Sequence, residues 1–248
     1  MLNRTMPPVR KNAALFLDID GTLLDTARTP EAVAVPDDLK TNLQRLHDLL
    51  EGALAFVSGR SLKAIDCLFA PLRIPAIGSH GAEVRGTDGT LRTLAGPMAA
   101  PVRELLLQLV QTHPGTLLED KVYTLALHYR LAPEARPALE AALKDRRALF
   151  EAAGVMLLHG KAVIEAKPLG IDKGVGVRTL LEEKPFQGRV PLFGGDDTTD
   201  MDVFHILPEL GGKSFSVGRH FRGVDYRFPS PHAVRQWLAH LAEGGITE

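Results

Sequence analysis

The sequence predicts an α/β protein: a doubly wound parallel sheet into which a second, smaller α/β unit is inserted. Three observations predict it. Over the first 80 residues, short and wholly apolar runs alternate with amphipathic stretches. The same alternation returns from about residue 168 to the end. Between them, residues 97–167 run helix-strand-strand twice over. The expected division is a core of residues 1–96 and 168–248, with an inserted unit of residues 97–167.

AALFL (13–17), LAFV (54–57) and PAIG (75–78) are bounded apolar runs, the pattern of strands buried on both faces. Between the first two, PDDLKTNLQRLHDLLEG sets Leu39, Leu43, Leu46 and Leu50 at helical spacing, with Asp37 as the expected N-cap and Gly52 as the terminator. Strand-helix-strand of this kind requires a parallel sheet with right-handed crossovers. SLKAIDCLFA (61–70) follows the helical pattern, and its Cys67 reads as a buried structural thiol. In the inserted unit, the helix APVRELLLQLVQTH precedes the strands TLLEDK and YTLALHYR. The helix PEARPALEAALKDRRALFEAAG then precedes VMLLHG and KAVIEAK, so an antiparallel sheet with both helices on one face is expected. After it come a helix in IDKGVGVRTLLEE, a strand in VPLFGG (190–195), a helix in TTDMDVFHIL and a strand in SFSVG (214–218). The last helix opens at Ser230 as N-cap, with Pro231 in its first turn.

Composition narrows the function. Of the 248 residues 45% are apolar and 24% charged, an ordinary globular balance that allows a sizeable core. The formal net charge of −1 offers no basic excess for nucleic acid or an anionic membrane, so neither is an expected partner. A single cysteine excludes an internal disulfide framework and fits a reducing compartment. The opening MLNRTMPPVRKN lacks the apolar stretch of a secretory signal, and no run reaches the roughly 18 apolar residues of a membrane helix, so a soluble, cytoplasmic protein is expected; a monomer is the expected state. The nine histidines make no His-x-x-x-His pair or Cys/His cluster, so zinc is not expected.

The polar residues at the strand ends carry the chemistry. Ligands of an open α/β sheet bind outside the carboxyl ends of its strands. Asp18 follows AALFL directly, Ser58 follows LAFV directly, and Asp196 and Asp197 follow LFGG. Lys173 stands in the first turn of the helix after Asp172, where the helix N-terminus also favours an anion. Asp18 and Asp20 stand two residues apart and repel each other, so something positive must sit between them or one must be protonated. Asp18, Asp20 and Asp196 offer hard oxygen ligands, which suit Mg²⁺ together with a phosphate oxygen. Asp18 is the candidate nucleophile, through an aspartyl-phosphate. Asp20 is the candidate general acid and base, its backbone carbonyl being the expected metal ligand. Gly21 permits the bend that brings backbone N–H groups to the phosphate. Ser58 and Lys173 would hold the phosphate oxygens.

DIDGT (18–22), VSGR (57–60), the lysine of DKG (172–174) and GDDTTD (195–200) resemble, in that order, the four motifs of the haloacid-dehalogenase superfamily. The resemblance implies a Rossmann-like core with an α/β cap between the second and third motifs. It also implies a phosphate site lined by Asp18, Ile19, Asp20, Gly21, Ser58, Gly59 and Arg60, with Asp197 and Asp200 behind the metal ligands. GSHGAEVR (78–85), LEDKVYTLALHYR (118–130), GKAVIEAKPLGIDKG (160–174) and GGDDTTDMDVF (194–204) are similar to signature stretches of the trehalose-6-phosphate phosphatases, over roughly residues 13–240. That resemblance implies hydrolysis of trehalose 6-phosphate, with Glu119, Lys121 and Glu165 gripping sugar hydroxyls. Strand parity agrees, because side chains two apart share a face, as Glu119 and Lys121 do, and Glu165 and Lys167. The chain departs from the family at Met201, where a glutamate is usual. His80, His128 and Arg130 lie in family-like stretches and read as structural. Alternative readings are a phosphatase of sucrose phosphate or mannosyl-phosphoglycerate, or a phosphomutase returning the phosphoryl group to sugar.

Overall fold

A computed structural model describes residues 6–26, 33–160 and 162–248. Lys161, the first residue of the expected strand KAVIEAK, lies outside the described residues. In chain order the core begins with β1 (Ala13–Leu17), α1 (Asp37–Leu49), β2 (Leu54–Val57), α2 (Leu62–Phe69), β3 (Ala76–Gly78), β4 (Glu83–Arg85) and β5 (Leu91–Thr93). Then follow α3 (Ala100–Thr112), β6 (Leu117–Asp120), β7 (Leu125–His128), α4 (Arg136–Asp145), α5 (Arg147–Ala152), β8 (Val155–Gly160) and β9 (Val163–Pro168). The chain closes with α6 (Lys173–Leu181), β10 (Val190–Gly195), α7 (Met201–Ile206), β11 (Lys213–Val217), β12 (Tyr226–Phe228) and α8 (Pro231–His240). Two compact units result, one of residues 1–92 with 172–248 and one of residues 93–171.

In the larger unit eight strands lie in the order β12-β11-β10-β1-β2-β3-β4-β5. The six from β12 to β3 run parallel, and β4 returns antiparallel to β3. β1 is central and wholly buried, as an unbroken apolar run requires. Sequence order reverses between β1 and β10, which makes their carboxyl ends the topological switch point. Leu17 pairs with Gly194 in that register, and the Asp18 N–H donates to the Gly194 carbonyl at 2.9 Å, so Asp18 and Asp196 leave the sheet side by side.

The smaller unit is an antiparallel sheet in the order β6-β7-β9-β8. One face, with Leu125, Leu127, Ile164 and Ala166, packs on Val102, Leu106, Leu139, Leu143 and Phe150 of the helices. The opposite parity of β6, β7 and β9 carries Glu119, His128, Glu165 and Lys167.

Several expectations change. Asp37 is not the cap of α1: Pro36 holds the N-cap position without a side-chain bond, and Asp37 and Asp38 sit in the first turn, where their charge favours the helix dipole. Cys67 is exposed. Leu62, Ile65 and Phe69 form the buried face of α2, and a residue five positions past Leu62 points away from it. The long helix of the inserted unit is two, broken where Arg146 leaves helical geometry at φ −104°, ψ 18°. The strands β4, β5 and β12 have three residues each, too few for a period of two to register. Ser230 does cap α8, accepting from the Ala233 N–H.

Candidate active site

Asp18 leaves β1 into a tight turn, 5% exposed. Thr22, Leu23 and Leu24 all donate their N–H to the Ile19 carbonyl, and the Ile19 side chain is buried. Gly21 adopts φ +88°, and a methyl group there would stand 2.1 Å from Asp196 Oδ2. Glycine is thus required twice, for the left-handed bend and for the close approach of the β10 loop.

Lys173 is the first residue of α6, whose N-cap Asp172 accepts from the Val175 N–H. Its ammonium, 3% exposed as a residue, donates to Asp18 Oδ1 at 2.8 Å and to Asp200 Oδ1 at 2.6 Å. Asp200, fully buried, uses its second oxygen to accept the N–H groups of Asp196 at 2.8 Å and Asp197 at 3.0 Å. That closes a capping box with Asp197 and shapes the GDDTTD loop. Arg219 donates to Asp197 Oδ1 at 3.0 Å on the same loop.

Asp18, Asp196 and Asp200 can each turn one carboxylate oxygen to within 4.8 Å of the others. When all three are ionised, three carboxylates share one buried ammonium, and the excess negative charge must be met by protons or a cation. Burial pushes the Asp18 carboxyl well above the usual range; the Lys173 charge opposes this, and the Asp200 and Asp196 charges reinforce it. Burial, then the charges of Asp200 and Asp197, push Asp196 up to about 7. Burial also works against the Lys173 ammonium, but the charges of Asp18 and Asp200 prevail and hold its pKa above the ordinary value. Asp18 Oδ2 is buried with no hydrogen-bond partner among the described residues. Hard oxygens, an orphaned buried oxygen and an excess of negative charge when ionised fit a divalent cation. A cavity of about 330 Å³, lined in part by Gly21, Asp25, Asp196 and Arg219, opens beside the cluster.

Asp20 does not belong to the cluster. Its carboxylate is held by Arg60, with Nε to Oδ2 at 2.6 Å and Nη2 to Oδ1 at 2.7 Å. The two aspartates of DIDGT are thus relieved by separate cations, Lys173 for Asp18 and Arg60 for Asp20. Ser58 follows β2 as expected, and its hydroxyl accepts the Arg60 N–H at 3.1 Å. The Arg60–Asp20 pairing is a contact the sequence reading missed; the spacing of two residues from Ser58 carried no signal of where the guanidinium would point.

In the smaller unit Lys121 donates to Glu165 at 2.9 Å, and His128 Nε2 meets Glu119 Oε2 at 3.0 Å. The His128 bond is the main cause holding the Glu119 carboxyl below its usual value. These pairs join β6 to β7 and bring the loop after β6 to β9 on the polar side of that sheet.

The chain matches the model of the trehalose-phosphatase family over residues 16–227. It is 42% identical over 237 residues to a Sinorhizobium fredii protein named "Probable trehalose-phosphate phosphatase", covering 93% of this chain and 88% of that one. It is 37% identical over 235 residues to the Escherichia coli trehalose-6-phosphate phosphatase, covering 94% and 87%. The fold is shared with the C-terminal domain of Candida albicans trehalose-6-phosphate phosphatase, at a TM-score of 0.80 and 22% identity over 97% of this chain and 99% of that one. With four buried motif residues gathered at one sheet edge and a match that runs through both units, this chain belongs to the trehalose-phosphatase family.

Proposed function

We propose that the protein hydrolyses trehalose 6-phosphate to trehalose and inorganic phosphate, with Mg²⁺ as its divalent ion. The observation that carries this reading is the buried Asp18–Lys173–Asp200 network beside Asp196, in a chain 37% identical to a protein named for that substrate. Asp18, Asp196 and the backbone carbonyl of Asp20 would hold the ion, which when bound supplies positive charge to the phosphoryl oxygens. Asp18 attacks phosphorus, the bond from phosphorus to the sugar oxygen breaks, and Asp20 gives that oxygen a proton. The phosphoryl group is then carried by Asp18. Water attacks it, Asp20 takes the water proton, and the bond to Asp18 breaks to free phosphate. Ser58 and Lys173 hold the phosphoryl oxygens. Because Arg60 occupies both Asp20 oxygens, the acid step requires the guanidinium to give one up.

A phosphate-release panel of sugar phosphates, with and without Mg²⁺, tests the reading. Trehalose 6-phosphate should be cleaved fastest and chelation should silence the enzyme. Full activity in a thoroughly chelated sample would remove the metal, and a phosphoryl group returned to sugar in a single turnover would make the protein a mutase.

The Mg²⁺ requirement should depend on pH in a defined direction. Metal ligands must be deprotonated, and burial with the charges of Asp200 and Asp197 pushes Asp196 up to about 7, while Asp18 is raised as well. Below that pH protons compete strongly with the ion, and above it they compete less. The half-activating Mg²⁺ concentration should be at least about tenfold higher at pH 6 than at pH 8, the minimum that one competing proton sets. A midpoint that stays constant across this range would take Asp196 out of the ligand set.

Sugar recognition is assigned to Glu119, Lys121 and Glu165, since the phosphate site cannot tell one monoester from another. Sites built on hydrogen bonds to hydroxyls strongly reject analogues that lack them. Alanine at any one of the three should lower kcat/KM for trehalose 6-phosphate by about 10–100-fold, the size of one or two charge-assisted bonds. p-Nitrophenyl phosphate, which has no sugar, should barely notice. Equal losses on both esters would mean that these residues only hold structure.

A further inference from the structure

The turn that follows β3, GSHG (78–81), has a backbone that needs a reason. Ser79 and His80 are consecutive non-glycine residues in the left-handed region, at φ 48° and 54°, and Gly81 follows at φ 103°. Such a conformation is uncommon outside glycine and persists where the surroundings over-determine it. The surroundings here are the two elements that flank the phosphate end of the site. The Ser79 N–H donates to the Arg60 carbonyl at 2.8 Å, and the His80 N–H to the Ser58 carbonyl at 3.1 Å. Glu83 ties the same corner, its carboxylate accepting the Ser79 hydroxyl at 2.6 Å and the Leu62 N–H at 3.2 Å. The His80 imidazole covers Gly59, where an added methyl would stand 2.4 Å from Nε2. On the other side, a methyl on Gly81 would stand 2.0 Å from the carbonyl oxygen of Asp172, the N-cap of α6. The turn is therefore wedged backbone to backbone between Ser58–Arg60 and Asp172–Lys173. Glycine at position 80 would make the same backbone bonds without strain, so what the left-handed histidine adds is its ring over Gly59.

We propose that His80 is a positioning residue: its ring over Gly59 fixes the Ser58–Arg60 loop to the turn that abuts the start of α6, so that the Ser58 hydroxyl and the Lys173 ammonium address one phosphoryl group together. His80 itself touches no reacting atom. The inference rests on the assignment of Ser58 and Lys173 to phosphate.

The test reads the inhibition constant of inorganic phosphate, kcat and KM on trehalose 6-phosphate and on p-nitrophenyl phosphate, and Tm. Ser58→Ala serves as the reference. His80→Gly relieves the backbone and removes the ring, so Tm should be kept or raised. Phosphate inhibition and kcat/KM should nonetheless weaken about tenfold or more, by one factor on both esters, the scale of a small misplacement of binding groups. His80→Asn, which tolerates the left-handed backbone, should fold equally and lose less. Gly59→Ala displaces the ring and should reproduce the His80→Gly loss. Joined to His80→Gly, its methyl fills the vacated space, so the double variant should lose no more than either single one. Wild-type phosphate inhibition in His80→Gly overturns the proposal, and so do additive losses in the double variant. Losses in both His80 variants that merely follow a fall in Tm overturn it too, leaving a structural role. If Ser58→Ala leaves phosphate inhibition unchanged, the phosphate assignment itself falls. A raised constant in Ser58→Ala beside wild-type values in His80→Gly defeats the proposal alone.

Discussion

Asp18→Asn should lower kcat by more than about a thousandfold while the ion-free protein keeps or raises its Tm. The amide has the shape of the carboxylate and can still accept the Lys173 hydrogen bond now made to Oδ1 at 2.8 Å. It cannot attack phosphorus. What activity remains would come from positioning and charge alone. The stability half follows from the electrostatics. Burial together with the charges of Asp200 and Asp196 disfavours the ionised form of Asp18, against the pull of Lys173. A carboxyl whose folded pKa is raised contributes stability below its unfolded pKa and loses that contribution as pH rises through the folded value. At neutral pH a neutral isostere removes that penalty. Mg²⁺ should accordingly raise the Tm of the wild type and do much less for the variant. Retention of more than about a thousandth of the wild-type rate would show that the nucleophile lies elsewhere.

The placement of Asp18, Ser58, Lys173 and Asp196 is legible because each follows an apolar run or opens a helix, and the ends of such elements are fixed by the chain grammar of a parallel sheet. What could not be read were contacts that depend on side-chain direction. Asp20 looked like a partner in the repulsion with Asp18, yet Arg60, 40 residues away, takes both its oxygens. Asp200 read as an outer residue, yet it shares the Lys173 ammonium and folds the GDDTTD loop through two backbone N–H groups. Gly78–Gly81 carried no periodicity, and its left-handed backbone follows from tertiary contacts with Ser58, Arg60 and Asp172. Cys67 lies on the side of α2 opposite Leu62, Ile65 and Phe69, so its place in an amphipathic helix does not by itself bury it.

The Lys173 ammonium is where stability and chemistry meet, and Lys173→Met should damage both. Methionine fills much of the same volume, so the effect is one of charge and not of a cavity. Asp18 and Asp200 would then face each other while buried, with Asp196 close by and no cation between them. Removing one partner of a buried ion pair typically costs about 3–5 kcal/mol, because the remaining charge is neither solvated nor paired. The stranded carboxylates can escape only by taking up protons, so the deficit in Tm against wild type should be largest near pH 8 and shrink towards pH 5. Activity should fall by at least about a hundredfold, the loss expected when one charged donor to a transferring phosphoryl group is missing. Adding Asp200→Asn separates the two roles. It deletes one of the stranded charges, and its amide carbonyl can still accept the N–H groups of Asp196 and Asp197 that now meet Oδ2. The double variant should therefore regain much of the stability at pH 8 and none of the activity. A Lys173→Met protein with wild-type Tm at pH 8 would mean that Asp18 and Asp200 are already protonated in the native protein. Asp18 could then not be the nucleophile that the 2.8 Å contact with an ammonium implies.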